Sequence, residues 1–427
     1  MALGAALALL LGLALGGCDI NLTPAQNGDD TTDPPTDFLA QSRCDTVGYG
    51  SAAPLAFGTT LHLGQVSFNT SASGFTSVMA SLPQGVDALS VGVVVRGLDS
   101  TLQTLDHGVR VLSQPPLCLT TPLGPAPLAF NRVNVDQDAE EDIDQNLLFD
   151  QQTVALFYPN DGSVLSLPAG TYTFPVASSD LGGLLISAPV AVDVYYKVAA
   201  SLPSEMRVNL WVVQGVGSGN GLQTQDEVNA DLILGIAAVV LNNVYGNRAG
   251  LNLNVRRILL PDVPELLIID SQDELDALFA GHPSPPEDDA LNMFVVDQLA
   301  LPGVLTGVVG LASRIPGPFN LDGTAKSGIV VEYQSSGSQL GYTLAHELGH
   351  YLGLYHTSQQ YNLSIVGHDP IADTPECTDD DLGASHDFGR CPDVSNLMFP
   401  FVTSNSNPLV SQEQVNVIRL NPAISTP

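Results

Sequence analysis

Gln339-Leu-Gly-Tyr-Thr-Leu-Ala-His346-Glu347-Leu-Gly-His350-Tyr-Leu-Gly353-Leu-Tyr-His356 is the stretch on which the reading of this chain turns. Its first twelve residues hold no proline and predict a helix, on which His346 and His350 stand one turn apart and project from one face. Two imidazoles so placed can bind one metal ion. Glu347 falls beside them, where it can polarise a water on the metal instead of ligating it. A catalytic zinc takes three protein ligands and keeps one position open, and the next candidate ligand is His356. A straight helix would carry that histidine away. Gly353 lies between, and a positive φ there ends the helix and turns the chain back, so that His356 completes the set.

The full span from His346 to His356 matches the extended metzincin signature, which is far more specific than its five-residue core. With Thr357, Ala372-Asp373-Thr374-Pro375, Cys377, Cys391 and Asn396-Leu-Met398, the segment resembles the pappalysin group of metallopeptidases. The likeness is strongest across 343–400 and extends over roughly 205–420. It implies a two-lobed zinc endopeptidase fold in which a protein or peptide substrate runs antiparallel along an edge strand, for which Gly307–Ser313 is the candidate. It also implies that Met398 sits under the zinc in a tight turn, core filling being the plainer role for a methionine. Many relatives carry a tyrosine two residues after that methionine, whereas this chain has Pro400. That departure removes one transition-state donor and leaves the oxyanion partner unassigned. The chemistry so implied is hydrolysis by a zinc-polarised water, with Glu347 accepting its proton and passing it to the leaving amine.

Outward from the motif, 427 residues with 44% apolar content exceed the usual single-domain size and predict two folded units. Thirteen Lys and Arg against 45 Asp and Glu give a formal charge of −32, which repels phosphate backbones and argues against nucleic-acid binding. Forty glycines and 30 prolines fit a secreted, loop-rich protein.

Residues 1–18 read as a signal peptide, an apolar run too short to span a bilayer that ends in Leu15-Gly16-Gly17-Cys18. Those four residues resemble the bacterial lipobox, which implies cleavage before Cys18 and lipid on its thiol. The basic n-region is missing, and an ordinary secretory signal is the other reading. Both export the protein, to the cell envelope or the extracellular space, with membrane contact only through the N-terminal lipid. Residues 19–41, rich in Asp, Thr, Pro and Asn, predict a flexible acidic linker.

Residues 42–202 predict an all-β sandwich from short runs separated by turn residues: Thr59–Phe68, Ala88–Arg96, Val109–Leu112, Thr153–Tyr158, Gly170–Val176 and Val190–Val198. Residues 203–427 predict an α/β (α+β) catalytic domain. Its strands are expected at Met206–Gln214, Leu251–Leu260, Leu291–Val296, Gly307–Ser313 and Gly328–Tyr333, with a helix over Glu227–Tyr245 closed by Gly246.

With Cys18 set aside, four cysteines remain in an exported chain, and their grouping favours Cys44 with Cys118 and Cys377 with Cys391. Ser42-Arg-Cys-Asp45 also faintly resembles the prosegment cysteine that caps zinc in latent metzincins, which makes a thiolate cap the alternative to a Cys44 disulfide. Two acidic loops could hold calcium or simply face solvent. One is Asp136 to Asp144; the other, beside His368, offers Asp369, Asp373 and Asp379. The rivals to a zinc endopeptidase are a surface binding protein with a vestigial zinc site and a zinc amidase acting on a non-peptide bond.

Overall fold

The computed structural model describes residues 45–48, 55–57, 60–72, 76–82, 88–98, 107–111, 120–121, 124–125, 153–160, 162, 167–180, 185–198, 205–217, 219, 221–281, 290–301, 308–319, 321, 324, 327–361, 364–401 and 408–424. Cys18, Cys44, Cys118, the linker and the Asp136–Asp144 loop lie outside the described residues.

Among the described residues of the first half the elements are all strands: β1 (Asp45–Gly48), β2 (Leu55–Phe57), β3 (Thr60–Asn69), β4 (Thr76–Leu82), β5 (Ala88–Gly97) and β6 (His107–Val111). There follow the short β7 (Thr120–Thr121) and β8 (Gly124–Pro125), then β9 (Thr153–Tyr158), β10 (Gly170–Asp180), β11 (Leu185–Ile186) and β12 (Pro189–Val198). One sheet runs β1-β4-β10-β11 with β6 also on β10, and a second runs β2-β3-β12-β5-β9. Val78, Ala80, Tyr172, Phe174 and Val176 of the first sheet meet Val91, Val93, Val95, Val192 and Val194 of the second in one buried cluster. Alternation explains the pairing, because residues two apart on a strand share a face.

The second sheet has another buried face. Leu89, Val94, Ala155, Phe157 and Tyr195 of β5, β9 and β12 belong to the core formed by residues 206–424. This is why Ala88-Leu-Ser-Val-Gly-Val-Val-Val95 is buried without a break and carries Ser90 as its one polar side chain: a strand covered on both sides has no solvent-facing phase.

From Glu205 the chain builds β13 (Glu205–Val213), α1 (Gln225–Ala230), α2 (Leu232–Ala249), β14 (Asn252–Leu260), β15 (Ile268–Ile269), α3 (Gln272–Gly281), β16 (Leu291–Val296), β17 (Gln298–Leu299), β18 (Gly310–Ala312) and β19 (Ile329–Glu332). Then come α4 (Gly337–Tyr351), the hairpin β20 (Ser358–Tyr361) and β21 (Ser364–His368), α5 (Asp379–Leu382) and α6 (Gln412–Leu420). The sheet order is β14-β13-β16-β19-β18, parallel except for β18, which pairs antiparallel with β19 and forms an edge. No helix among the described residues is long and apolar enough to cross a membrane.

The single helix expected over Glu227–Tyr245 is two. Asp231 adopts extended φ/ψ, ends α1, and caps α2 by accepting from Leu234 N at 2.8 Å. Gly246 does not stop α2, which runs on to Gly250, whose φ of 62° supplies the left-handed turn that closes it. The strand expected over Val109–Leu112 occupies His107–Val111, and that expected over Gly307–Ser313 is the shorter β18.

The two halves are also joined by polar contacts across 330 and 224 residues of sequence. Ser90 Oγ donates to Leu420 O at 2.5 Å, and the fully buried Lys197 Nζ donates to Asn421 O at 3.0 Å. Burial, with Arg419 nearby, holds the Lys197 amine well below its ordinary pKa. The unfolded chain then binds a proton that the folded chain does not, so stability rises with pH in the window between the depressed value and 10.5. We expect the wild type to gain stability from this group as pH rises toward 10.5. Urea unfolding at several pH values should show that gain missing in Lys197→Met, and an identical slope in both proteins would contradict the neutral amine.

Candidate metal centre

Helix α4 begins at Ser336, whose side chain accepts from Gln339 N, and is buried over most of its length. Small residues let α2 lie against it: a Cβ at Gly341 would sit 2.6 Å from Val240 Cβ. Tyr245 of α2 donates its hydroxyl to Ala345 O at 2.8 Å, which fixes α4 one residue before the first histidine.

The three histidines converge. Nε2 of His346 lies 3.2 Å from Nε2 of His356, and Nε2 of His350 lies 3.1 Å from each of them. Each imidazole is held from behind through Nδ1: His346 by Leu397 O at 2.7 Å, His350 by Leu354 O at 2.8 Å, His356 by Gln359 Oε1 at 2.8 Å. An acceptor at Nδ1 puts the ring proton there and leaves Nε2 a bare lone pair. Three lone pairs so close repel unless a cation lies between them. Tetrahedral zinc, with Zn–N near 2.05 Å, spaces its ligand nitrogens by about 3.3 Å, so the donor set fits zinc. Burial pushes His346 down to about 3 and His356 to about 4, and holds His350 well below the usual range, with neighbouring imidazoles adding to the effect at His346 and His350. All three are therefore ready as neutral ligands at neutral pH.

Gly353 has φ of 102° and its N–H reaches back to His350 O at 2.8 Å, so the helix ends there and the chain reverses toward His356. Met398 lies beneath, packed so closely on Gly349 that a Cβ there would meet its sulfur at 2.4 Å. The same turn is tied to the ligands, since Leu397 O holds His346 and Met398 O accepts from Thr357 N at 3.0 Å. Asn396 fixes the turn by accepting from Met398 N and exchanging two 3.1 Å hydrogen bonds with Gln414 of α6.

Comparison with known proteins bears on this geometry. An extracellular metalloprotease of Arthroderma otae is 32% identical over 98 residues, 22% of this chain and 36% of that protein. One of Colletotrichum graminicola is 35% identical over 86 residues, 20% of this chain and 25% of that protein. Over these stretches the chain is similar to extracellular metalloproteases. It spans about a third or less of the length of the relatives it matches. No family model matches. A solved structure of a periplasmic lysozyme inhibitor from Aeromonas hydrophila aligns over 36% of this chain and 99% of its own, at 12% identity and a TM-score of 0.17, and bears no weight on the fold.

Glu347 is buried one residue after the first ligand, with edge strand β18 directly against it. A Cβ at Gly310 would sit 2.7 Å from Glu347 Oε1 and 2.9 Å from its Cγ. The glycine gives the carboxylate its room.

Beyond the ligands, Thr357 and Ser358 each donate a hydroxyl to Asp393 Oδ2 at 2.6 Å. A disulfide joins Cys377 to Cys391, and these cysteines pack with Leu382 and Phe399 in a small core of their own. Pro400 is buried beside it, and Phe401 packs against Phe388 and Phe399. His368 Nε2 donates to Cys377 O at 2.7 Å. The three aspartates weighed for calcium are not brought together. Asp379 Oδ1 accepts from Ile365 N, Asp373 Oδ2 from Glu413 N, and Asp369 Oδ1 from Thr374 Oγ1. Among the described residues, the groups whose ligand atoms lie within 4.8 Å of one another are the three histidines and Cys377, Cys391 and Asp393, the last set containing a disulfide. Burial pushes the Asp369 carboxyl well above the usual range.

Reading the sequence missed Gln359, Asp393, Gly349 and Gly310 as supports of the site. The first lies three residues after His356, a spacing that offers a signal; the carbonyls of Leu354 and Leu397 carry none, because every residue has one.

With folded-state pKa values below 6.5, the buried histidines make the unfolded chain the stronger proton binder, so metal-free stability is lost as pH falls from 6.5 toward 4. Asp369 and Glu332, raised by burial, act in the opposite sense. The histidine part is isolated by comparing the metal-stripped wild type with a variant carrying His350→Asn and His356→Asn. The variant should lose clearly less stability between pH 6.5 and 4.5 in urea titrations.

Proposed function

We propose that this chain is an exported zinc metalloendopeptidase of the metzincin type, close to the pappalysins, with its paired sheets preceding a two-lobed catalytic part. The observation that carries the reading is the trio of Nε2 atoms 3.1–3.2 Å apart, with Glu347 on the same helix and an open sheet edge alongside. Met398 beneath the histidines supports the metzincin reading, and the similarity to extracellular metalloproteases, with the disulfide, supports export. The lipobox-like Leu15-Gly16-Gly17-Cys18 supports a lipid anchor.

His346, His350 and His356 would hold the zinc, which supplies Lewis acidity that makes water nucleophilic near neutral pH and polarises a carbonyl. An extended peptide is oriented antiparallel on β18 by main-chain hydrogen bonds, which give affinity largely independent of sequence. Glu347 takes the proton from the attacking water and delivers it to the leaving amine. Its burial beside Gly310 keeps the carboxylate fixed, so little reorganisation precedes the transfer.

Metal analysis and a peptide-library cleavage assay, run beside a set of small amides, test this. The wild type should bind one zinc per chain and cleave peptides, while Glu347→Gln should keep zinc and lose at least about 100-fold in rate. Peptidase activity surviving that change would sink the assignment, and cleavage confined to the small amides would replace it with an amidase. Gly310→Ala should also retain zinc, yet lower kcat by about 10- to 100-fold by displacing Glu347. Wild-type kcat in that variant would show that the carboxylate tolerates the crowding.

A further inference from the structure

We infer that the second sheet of the N-terminal half is a positioning element of the metal centre, acting through Phe157 on the turn that delivers His356; this rests on the zinc reading above. The turn from His350 to His356 is hinged at Gly353, and the side chain behind that hinge comes from β9. A Cβ at Gly353 would sit 3.0 Å from Phe157 Cε1 and 3.2 Å from its Cζ, with Val417 Cγ1 of α6 at 3.6 Å. Phe157 is 1% exposed and belongs to the same core as Leu348, Leu352, Leu354 and Met398.

A second contact reaches the other end of the turn. Tyr351, next to His350, donates its hydroxyl to Pro318 O at 2.9 Å and accepts at its own carbonyl from Gly317 N at 2.9 Å. The next residue, Phe319, is fully buried with its ring edge-on to Tyr195 of β12 at 5.4 Å, over Gly92 of β5, where a Cβ would meet Phe319 Cζ at 2.7 Å. Both sides of the turn therefore lean on the sheet, one directly and one through residues 317–319.

The physical argument is rigidity. His350 is held by Leu354 O, a carbonyl inside the turn itself, and His356 by Gln359 just beyond it. Backbone bonds from Gly353 N to His350 O and from Leu354 N to Gly349 O close the start of the turn, and packing on Phe157 and Val417 braces its outer side. Removing the Phe157 ring opens a cavity behind Gly353, into which the turn can relax, taking Leu354 O and the His356 ring with it. Outer supports of metal ligands carry about 10- to 100-fold in affinity.

The test uses the full chain and chelator competition for zinc, at a temperature well below unfolding of every variant. Phe157→Ala should weaken zinc binding by about tenfold or more, and Phe157→Leu should recover most of it. Ser90→Ala, which removes the hydrogen bond to Leu420 O on the same sheet away from the turn, should lower the unfolding midpoint and leave zinc affinity unchanged. Wild-type zinc affinity in Phe157→Ala would overturn the inference, as would weakening in both variants in proportion to lost stability. Because the readout is zinc affinity, it stands apart from peptide cleavage. Failure of the zinc reading itself shows separately, as a wild type that binds none.

Discussion

Three neutral imidazoles with their lone pairs aimed at one point repel one another, and much of the second half of the chain is arranged to hold them so. Each ring is fixed by a hydrogen bond at its far nitrogen, and those acceptors come from three places: the reversing turn, the hairpin strand after it, and the methionine turn some forty residues on. Two of the acceptors are themselves braced. Leu397 O is fixed because Asn396 and Gln414 are paired, and Gln359 follows Thr357 and Ser358, whose hydroxyls are anchored on Asp393. Repulsion of this kind makes a metal-free centre a store of binding energy, since a cation turns each unfavourable contact into a bond.

The layers around the centre follow from what covers each face. The parallel strands β13, β16 and β19 are flanked by helices, as parallel sheets require, and α4 lies between them and the methionine turn. The N-terminal sheets add a further layer. Their inner strands serve two cores at once, with Val91, Val93 and Val95 facing one and Leu89 and Val94 the other. The neutral Lys197 sits in that second interface, where its amine reaches a backbone carbonyl that no aliphatic side chain could satisfy.

The three converging histidines were legible because spacing alone brings them together: positions 346 and 350 share a helix face, and a glycine between 350 and 356 is the one residue that turns the chain cheaply. Most strand positions were legible from β-branched runs bounded by turn residues. The break at Asp231 was not, because an aspartate inside an apolar run reads as a tolerated polar residue until its side chain is seen capping Leu234. Helix α6 was overlooked although Ser411-Gln-Glu-Gln414 writes a capping box before Val415, Val417 and Ile418. The largely apolar run of β5, with Ser90 as the one polar side chain before Arg96, signals a strand buried on both faces, yet such a run does not say what lies on either side. The calcium expectation at Asp369, Asp373 and Asp379 finds no support among the described residues: each of these aspartates accepts from a different backbone or hydroxyl partner.

The bonds from Ser90 to Leu420 and from Lys197 to Asn421 also set an order of events. A ribosome releases the strands before α6, and the layer behind the histidines cannot close until Asn421 has emerged. Contacts so distant in sequence are slow to find each other. The centre thus becomes rigid only when both halves of the chain are present, and a nascent chain lacking α6 carries its three histidines without the geometry that brings them together. Delay in folding here keeps the metal centre unformed until the strands and α6 have met.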